Sequence, residues 1–132
     1  MLPSQRKFVI LSFFNFEYDA WDCKAQVPQL NKIYDAYQDQ PLEMAVIDSR
    51  DMDNTWFMKV FIDATGLKVP VLIDWAQTAM LAYGVERLPC SFLISREQRV
   101  LGIYGPGEKE MDRLKDEVKQ VMKKAAEPGT QE

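Results

Sequence analysis

The run Phe8–Phe14 (FVILSFF) is aromatic and branched throughout, with Ser12 as its one polar interruption. That pattern belongs to a strand covered on both faces, since a strand with one wet face alternates apolar and polar residues. The chain is thereby confined to folds that enclose a sheet between layers. A polar and aromatic segment, Asn15–Asp22, follows the run. Val27, Leu30, Ile33, Tyr34 and Tyr37 then recur at the spacing of one helix face. Cys23 is therefore expected in the first turn of a helix that leaves the end of a buried strand. Partial positive charge at a helix start stabilises a thiolate, so a reactive cysteine is favoured at such a place. Pro28 falls inside the helical pattern, where its missing N–H predicts a kink.

Leu42–Ile47 reads as a second buried strand, ended by the polar cluster Asp48–Asn54. Asp53 is expected to cap a helix to about Thr65, with Trp56, Phe57, Val60, Phe61 and Ala64 on one face and Gly66 as its stop. Val69–Ile73 has strand length, and Ala76–Tyr83 reads as a short helix stopped by Gly84. Ser91–Ile94 and Val100–Tyr104 flank the polar turn Arg96–Arg99 as an antiparallel hairpin. From Glu108 a last helix aligns Met111, Leu114, Val118 and Val121, with acids at its start and lysines at its end. Strands alternating with helices predict an α/β fold. Its sheet is mostly parallel with an antiparallel edge hairpin, and helices cover both faces. One domain is expected over 1–132, its core spanning about 8–125 and 126–132 forming a disordered tail.

The net charge of -4, without a basic patch, argues against a nucleic-acid partner. Histidine is absent, which removes Ser-His and Cys-His catalysis and His-dependent metal sites. Two cysteines are too few for a zinc cage or a disulfide scaffold. No metal or cofactor is expected. The Asp51–Asn54 run lacks the closing Glu of a calcium loop and reads as a polar turn. No apolar run approaches the roughly 20 residues of a membrane span. Met1–Lys7 shows no signal segment, so the expectation is a cytoplasmic protein or an extracytoplasmic domain whose anchor has been removed.

At Ala20–Leu30 the chain resembles the thioredoxin-like family, and within it the TlpA/ResA-like thiol:disulfide oxidoreductases of bacterial cell envelopes, with peroxiredoxins as more distant relatives. The pattern is a strand, Cys-x-x-Cys opening a helix, Pro five residues after the second cysteine and Leu two further on. Cys23, Pro28 and Leu30 match the second cysteine, the proline and the leucine; Ala20 stands at the first cysteine, with Trp21 and Asp22 between. The branch usually carries Glu where this chain has Gln26. The segment Tyr83-Gly84-Val85-Glu86-Arg87-Leu88-Pro89 with Ser91–Ile94 is similar to the family's cis-proline segment. The resemblance covers about 8–125 and implies a thioredoxin-like fold, a cis bond before Pro89, and protein thiols or disulfides as partners.

For Cys23 three readings stand side by side: a single-thiol redox centre, a partner of Cys90 in a disulfide, and an inert buried remnant. Glu17, Asp19 and Asp22 surround the helix start and disfavour a thiolate. The leading function is that of a redox-family protein acting on thiols or disulfides through Cys23. A binding or scaffold module using the cleft around Trp21 and Pro89 competes with it. A one-cysteine peroxidase is a further alternative, although Ala20 lacks the hydroxyl of the peroxiredoxin Thr-x-x-Cys and Phe16 replaces its proline. Phe14, Phe16, Tyr18 and Trp21 are expected in the core and its rim, or on an apolar surface beside the site. Nothing in the sequence indicates an oligomeric state.

Overall fold

The computed structural model describes residues 6–16, 20–50 and 56–126. The strands β1 (Phe8–Phe14), β2 (Leu42–Arg50), β3 (Val71–Trp75), β4 (Cys90–Ile94) and β5 (Val100–Tyr104) form one sheet in the order β3-β2-β1-β4-β5. β1 takes the centre because both its faces are apolar. Phe8, Ile10 and Phe14 enter one core, and Phe13 enters the core on the opposite face. β2 lies parallel to β1, and β3 parallel to β2. β4 runs antiparallel to β1 and β5 antiparallel to β4, which gives the expected edge hairpin.

The first core is closed by α1 (Ala20–Ala36), α2 (Trp56–Thr65) and α4 (Glu108–Ala126). They bring in Val27, Leu30, Phe61, Leu114 and Val118. The second core is closed by α3 (Thr78–Ala82), whose Ala79 and Met80 pack against Phe13, Ile47 and Phe92. Helices thus cover both faces of a mixed five-stranded α/β sheet. α1 continues through Pro28 for its full 17 residues.

Several boundaries differ from expectation. β4 begins at Cys90 rather than Ser91, β3 ends at Trp75 rather than Ile73, and α3 ends at Ala82 rather than Tyr83. β2 continues to Arg50 because Asp48 and Ser49, read as a polar stop, are buried inside the sheet. The Asn15 amide donates to the Ser49 carbonyl at 3.0 Å, and the Ser49 hydroxyl donates to Asp74 Oδ2 at 3.1 Å. A buried polar side chain with a hydrogen-bond partner is compatible with the strand interior. β3 begins at Val71 rather than Val69, because Pro70 has no N–H to give the ladder and only its carbonyl is used, by the Val46 N–H at 2.8 Å. α3 begins at Thr78 because Ala76 and Gln77 both take left-handed conformations, at φ 57°. α4 reaches Ala126, one residue into the expected tail, and 127–132 lie outside the described residues. The expected Asp53 cap and the Asp51–Asn54 turn also lie outside them.

A small network fastens α4 to β5. Glu110 accepts the Gly105 N–H at 3.0 Å and the Arg113 Nε–H at 3.1 Å. Arg113 also donates to the Ile103 carbonyl at 2.8 Å and lies over the buried Tyr104 ring at 4.6 Å. The Arg113 guanidinium, then the Gly105 N–H, hold the Glu110 carboxyl below the usual carboxylate range. A folded-state value below the unfolded one contributes stability that is present above the unfolded pKa and is lost as pH falls through the folded value. Glu110→Gln is therefore expected to lower stability at pH 7, with the gap to the parent closing below the ordinary carboxylate pKa of about 4.3. Urea midpoints measured across that range check this, and a constant gap would rule the network out as its source.

Candidate functional site

The apolar β1 ends beside the start of α1, and that places Cys23 in the first turn as expected. Its side chain is 0% exposed and belongs to the core that holds Phe14, Phe16, Val27 and Phe61. α1 opens at Ala20, so Ala20, Trp21, Asp22 and Cys23 form its first turn. The side chains of Ala20 and Trp21 lie outside the described residues, as do Glu17, Tyr18 and Asp19. Asp22 is exposed.

The Leu88–Pro89 bond is cis, and Pro89 is buried immediately before β4. The structure does not bring Cys90 to Cys23. Cys90 packs with Phe13, Ile47, Val85, Leu88 and Phe92 in the core under α3, while Cys23 lies in the core under α1. Side chains alternate along a strand, so Ser91 and Leu93 take the α1 face of β4 and leave Cys90 and Phe92 on the other. The sheet therefore stands between the two sulfurs, and both are thiols. Burial pushes the Cys90 thiol up from its ordinary value.

Gln26, one turn after Cys23, is 2% exposed. Its Nε2 donates to the Gly105 carbonyl over a long 3.4 Å, and its Oε1 has no partner. Three further polar side chains, Ser12, Ser91 and Asp48, lie on this face. The Ser12 and Ser91 hydroxyls bond each other at 2.7 Å across β1 and β4, and the sign of this was Ser12 itself, the single polar residue of an apolar run. Asp48 is buried two positions beyond Val46 on β2, which puts a carboxyl on the Cys23 side of the sheet. Its place in the polar cluster after Ile47 hid that.

Phe14 and Phe16 are core residues, and Phe16 stacks on Phe61 with centroids 4.3 Å apart. Among the described residues Trp56 and Phe57 of α2 are exposed aromatics in edge contact with each other, while Tyr18 and the Trp21 side chain lie outside the described residues. With Phe16, Lys24, Val60 and Phe61, Phe57 lines an open apolar cleft of about 230 Å³. Among the described residues, no group of three or more Cys, Asp or Glu side chains is placed to hold a metal ion, and no helix is long and apolar enough to cross a membrane.

Residues 2–103 match the model of the AhpC/TSA family. The thiol-disulfide oxidoreductase ResA of Bacillus thuringiensis (strain Al Hakam) is 36% identical over 101 residues, covering 74% of this chain and 57% of that protein. The ResA of Geobacillus thermodenitrificans is 31% identical over 90 residues, covering 67% and 50%. The chain thus spans about half the length of these relatives. Among solved structures, StoA from Bacillus subtilis superposes with a TM-score of 0.70 at 22% identity, over 83% of this chain and 81% of that one. The thioredoxin domain of a thiol-disulfide oxidoreductase from Bacteroides vulgatus gives 0.73 at 18% identity, over 89% and 81%. These likenesses establish the thioredoxin-like fold.

Proposed function

The chain belongs to the AhpC/TSA family, and from that premise we propose that it works as a protein-binding domain in which the redox machinery is incomplete. Its relatives are thiol-disulfide oxidoreductases of thioredoxin-like fold, so the partners are proteins that carry thiols or disulfides. The observation that carries this reading is the full burial of Cys23 at the position of the second, resolving cysteine. A resolving thiol acts on a mixed disulfide already formed at an exposed neighbour. With Ala20 at the neighbour's position, no such intermediate arises in the first turn of α1. Gln26 replaces the family's Glu with a group that takes up no proton. The apolar cleft beside Trp56 and Phe57 supplies surface that suits a peptide chain.

The second reading keeps Cys23 as a single-thiol centre acting on thiols or disulfides. Its support is the placement of the sulfur in the first turn of a helix that follows a buried strand. The first turn must open for a substrate disulfide to reach it. A peroxidase has less support, because the same opening is needed and Ala20 offers peroxide no hydroxyl.

An insulin-reduction assay with dithiothreitol separates the readings. The expected outcome is a rate indistinguishable from the uncatalysed one. In parallel, Ellman's reagent should meet Cys23 at least about 100-fold more slowly in the native protein than in urea, as for a group exposed only by opening of the structure. Robust turnover that disappears in Cys23→Ser would overturn the binding reading in favour of the single-thiol one.

A further inference from the structure

A second cleft, of about 280 Å³, runs between the outer side of α1 and the start of α4. Asp22, Gln26 and Gln29 line it from α1, Glu108 from α4, and Pro28 and Met111 form apolar parts of its wall. Asp22, Gln26 and Gln29 stand four and then three positions apart, which places them on one stripe of the helix. Gln26 Oε1 and Gln29 Oε1 are both buried without a hydrogen-bond partner. The orientation of Gln26 is set by Gly105, whose carbonyl takes its Nε2 and leaves the oxygen over. A buried acceptor left without a partner keeps its desolvation penalty, so two of them in one cleft beside two carboxylates call for a donor from outside.

We propose that this cleft binds the guanidinium of an arginine side chain on a partner protein. The side-chain oxygens that line it are two amide oxygens and two carboxylates. They favour a cation and repel an anion. Helix α4 contributes partial positive charge at its start, which Glu108 in its first turn offsets. A guanidinium presents five N–H donors in a planar fork, enough to serve several separated oxygens at once, whereas an ammonium is a compact point with three. Its methylene stem suits a wall containing Pro28 and Met111. The proposal rests on the binding reading above only in taking the partner to be a protein, and it requires no chemistry at Cys23.

The test is a titration of the ¹⁵N-labelled full chain with the blocked peptide acetyl-Ala-Arg-Ala-amide, followed by amide shifts. Concentrations run to about 10 mM, the range in which a single side chain binds. Saturable shifts are expected in the Gln26 and Gln29 side-chain amides and at Glu108. The citrulline counterpart, equal in shape and uncharged, should bind at least about tenfold more weakly. Gln26→Met removes the orphaned acceptor and is expected to keep the fold with an unchanged or higher Tm, while weakening the arginine peptide about tenfold. Glu108→Gln, at the surface, should weaken it about two- to threefold. The proposal is overturned by absent or non-saturating shifts, by shifts confined to other residues, by equal binding of the citrulline peptide, or by both variants binding as the parent does. A missing shift in this titration leaves the insulin and Ellman results untouched, so failure of this site is distinguishable from failure of the binding reading.

Discussion

Ala20→Cys is expected to give a chain that forms a reversible disulfide between positions 20 and 23. Both positions lie in the first turn of α1. Side chains three apart on a helix have Cβ atoms about 5–6 Å apart, and a disulfide needs about 3.5–4.5 Å, so the turn must tighten by only about 1–2 Å. The first turn of a helix can make that adjustment, since its N–H groups are not yet committed to intrahelical bonds. The buried Cys23 sulfur would then do what a resolving thiol does, attacking a mixed disulfide formed at the introduced thiol and releasing the reduced substrate. The rate should remain low, because Gln26 takes up no proton and Asp22 disfavours a thiolate. Adding Gln26→Glu restores a proton acceptor and is expected to raise turnover at least about tenfold, at the modest end of acid–base contributions. Free thiols are counted after mild oxidation in a Cys90→Ala background, and insulin reduction is followed in the same proteins. If both thiols stay free in a folded variant, position 20 is not the counterpart of the nucleophile.

Asp74→Ala is expected to lower stability by about 3 kcal/mol, the sum usual for a buried carboxylate that holds more than one charge-assisted bond. Asp74 is 7% exposed at the end of β3. It accepts the Ala79 N–H at 2.7 Å, the Met80 N–H at 2.9 Å and the Ser49 hydroxyl at 3.1 Å. The residue just before α3, Gln77, gives no side-chain cap, so a residue further upstream satisfies the first N–H groups of this five-residue helix. Alanine would leave two helix N–H groups and a buried hydroxyl without partners. For a domain of this size the loss corresponds to a drop in Tm of roughly 10 °C. Asp74→Asn, which keeps one accepting oxygen, should lose about half as much. An alanine variant that melts with the parent would show that α3 does not depend on this carboxylate.

The two cases mark how far local pattern reaches. Five strands and four helices were legible in periodicity and in turn residues, and so was the edge hairpin. A buried strand carries an unbroken apolar run, and an exposed helix such as α4 carries a stripe. Boundaries failed where polar residues work inside the fold. Asp48 and Ser49 look like a strand stop until both are seen buried in the sheet, with Ser49 bonded to Asn15 and Asp74, 34 and 25 residues away along the chain. Ala76 and Gln77 carry no mark of the left-handed conformation that shortens α3, because neither is glycine.

The site divides the same way. Cys23 in the first turn of a helix, Ala20 in place of a cysteine, Gln26 in place of a carboxylate and Pro89 before a strand were all present in residue order. They carry the resemblance to the family and motivate the proposal of an incomplete redox site. Whether Cys23 can be reached, and whether Cys90 can meet it, depends on which face of the sheet each side chain takes. The parity of β4 against β1 decides that, and a shift of one residue would have put Cys90 under α1. The orphaned oxygens of Gln26 and Gln29 were equally out of reach, because an acceptor is unpaired only relative to what packs around it. Residue type and spacing thus determined the fold and the family of this protein, and the tertiary structure decided access and pairing, since those depend on atoms brought together from distant parts of the chain.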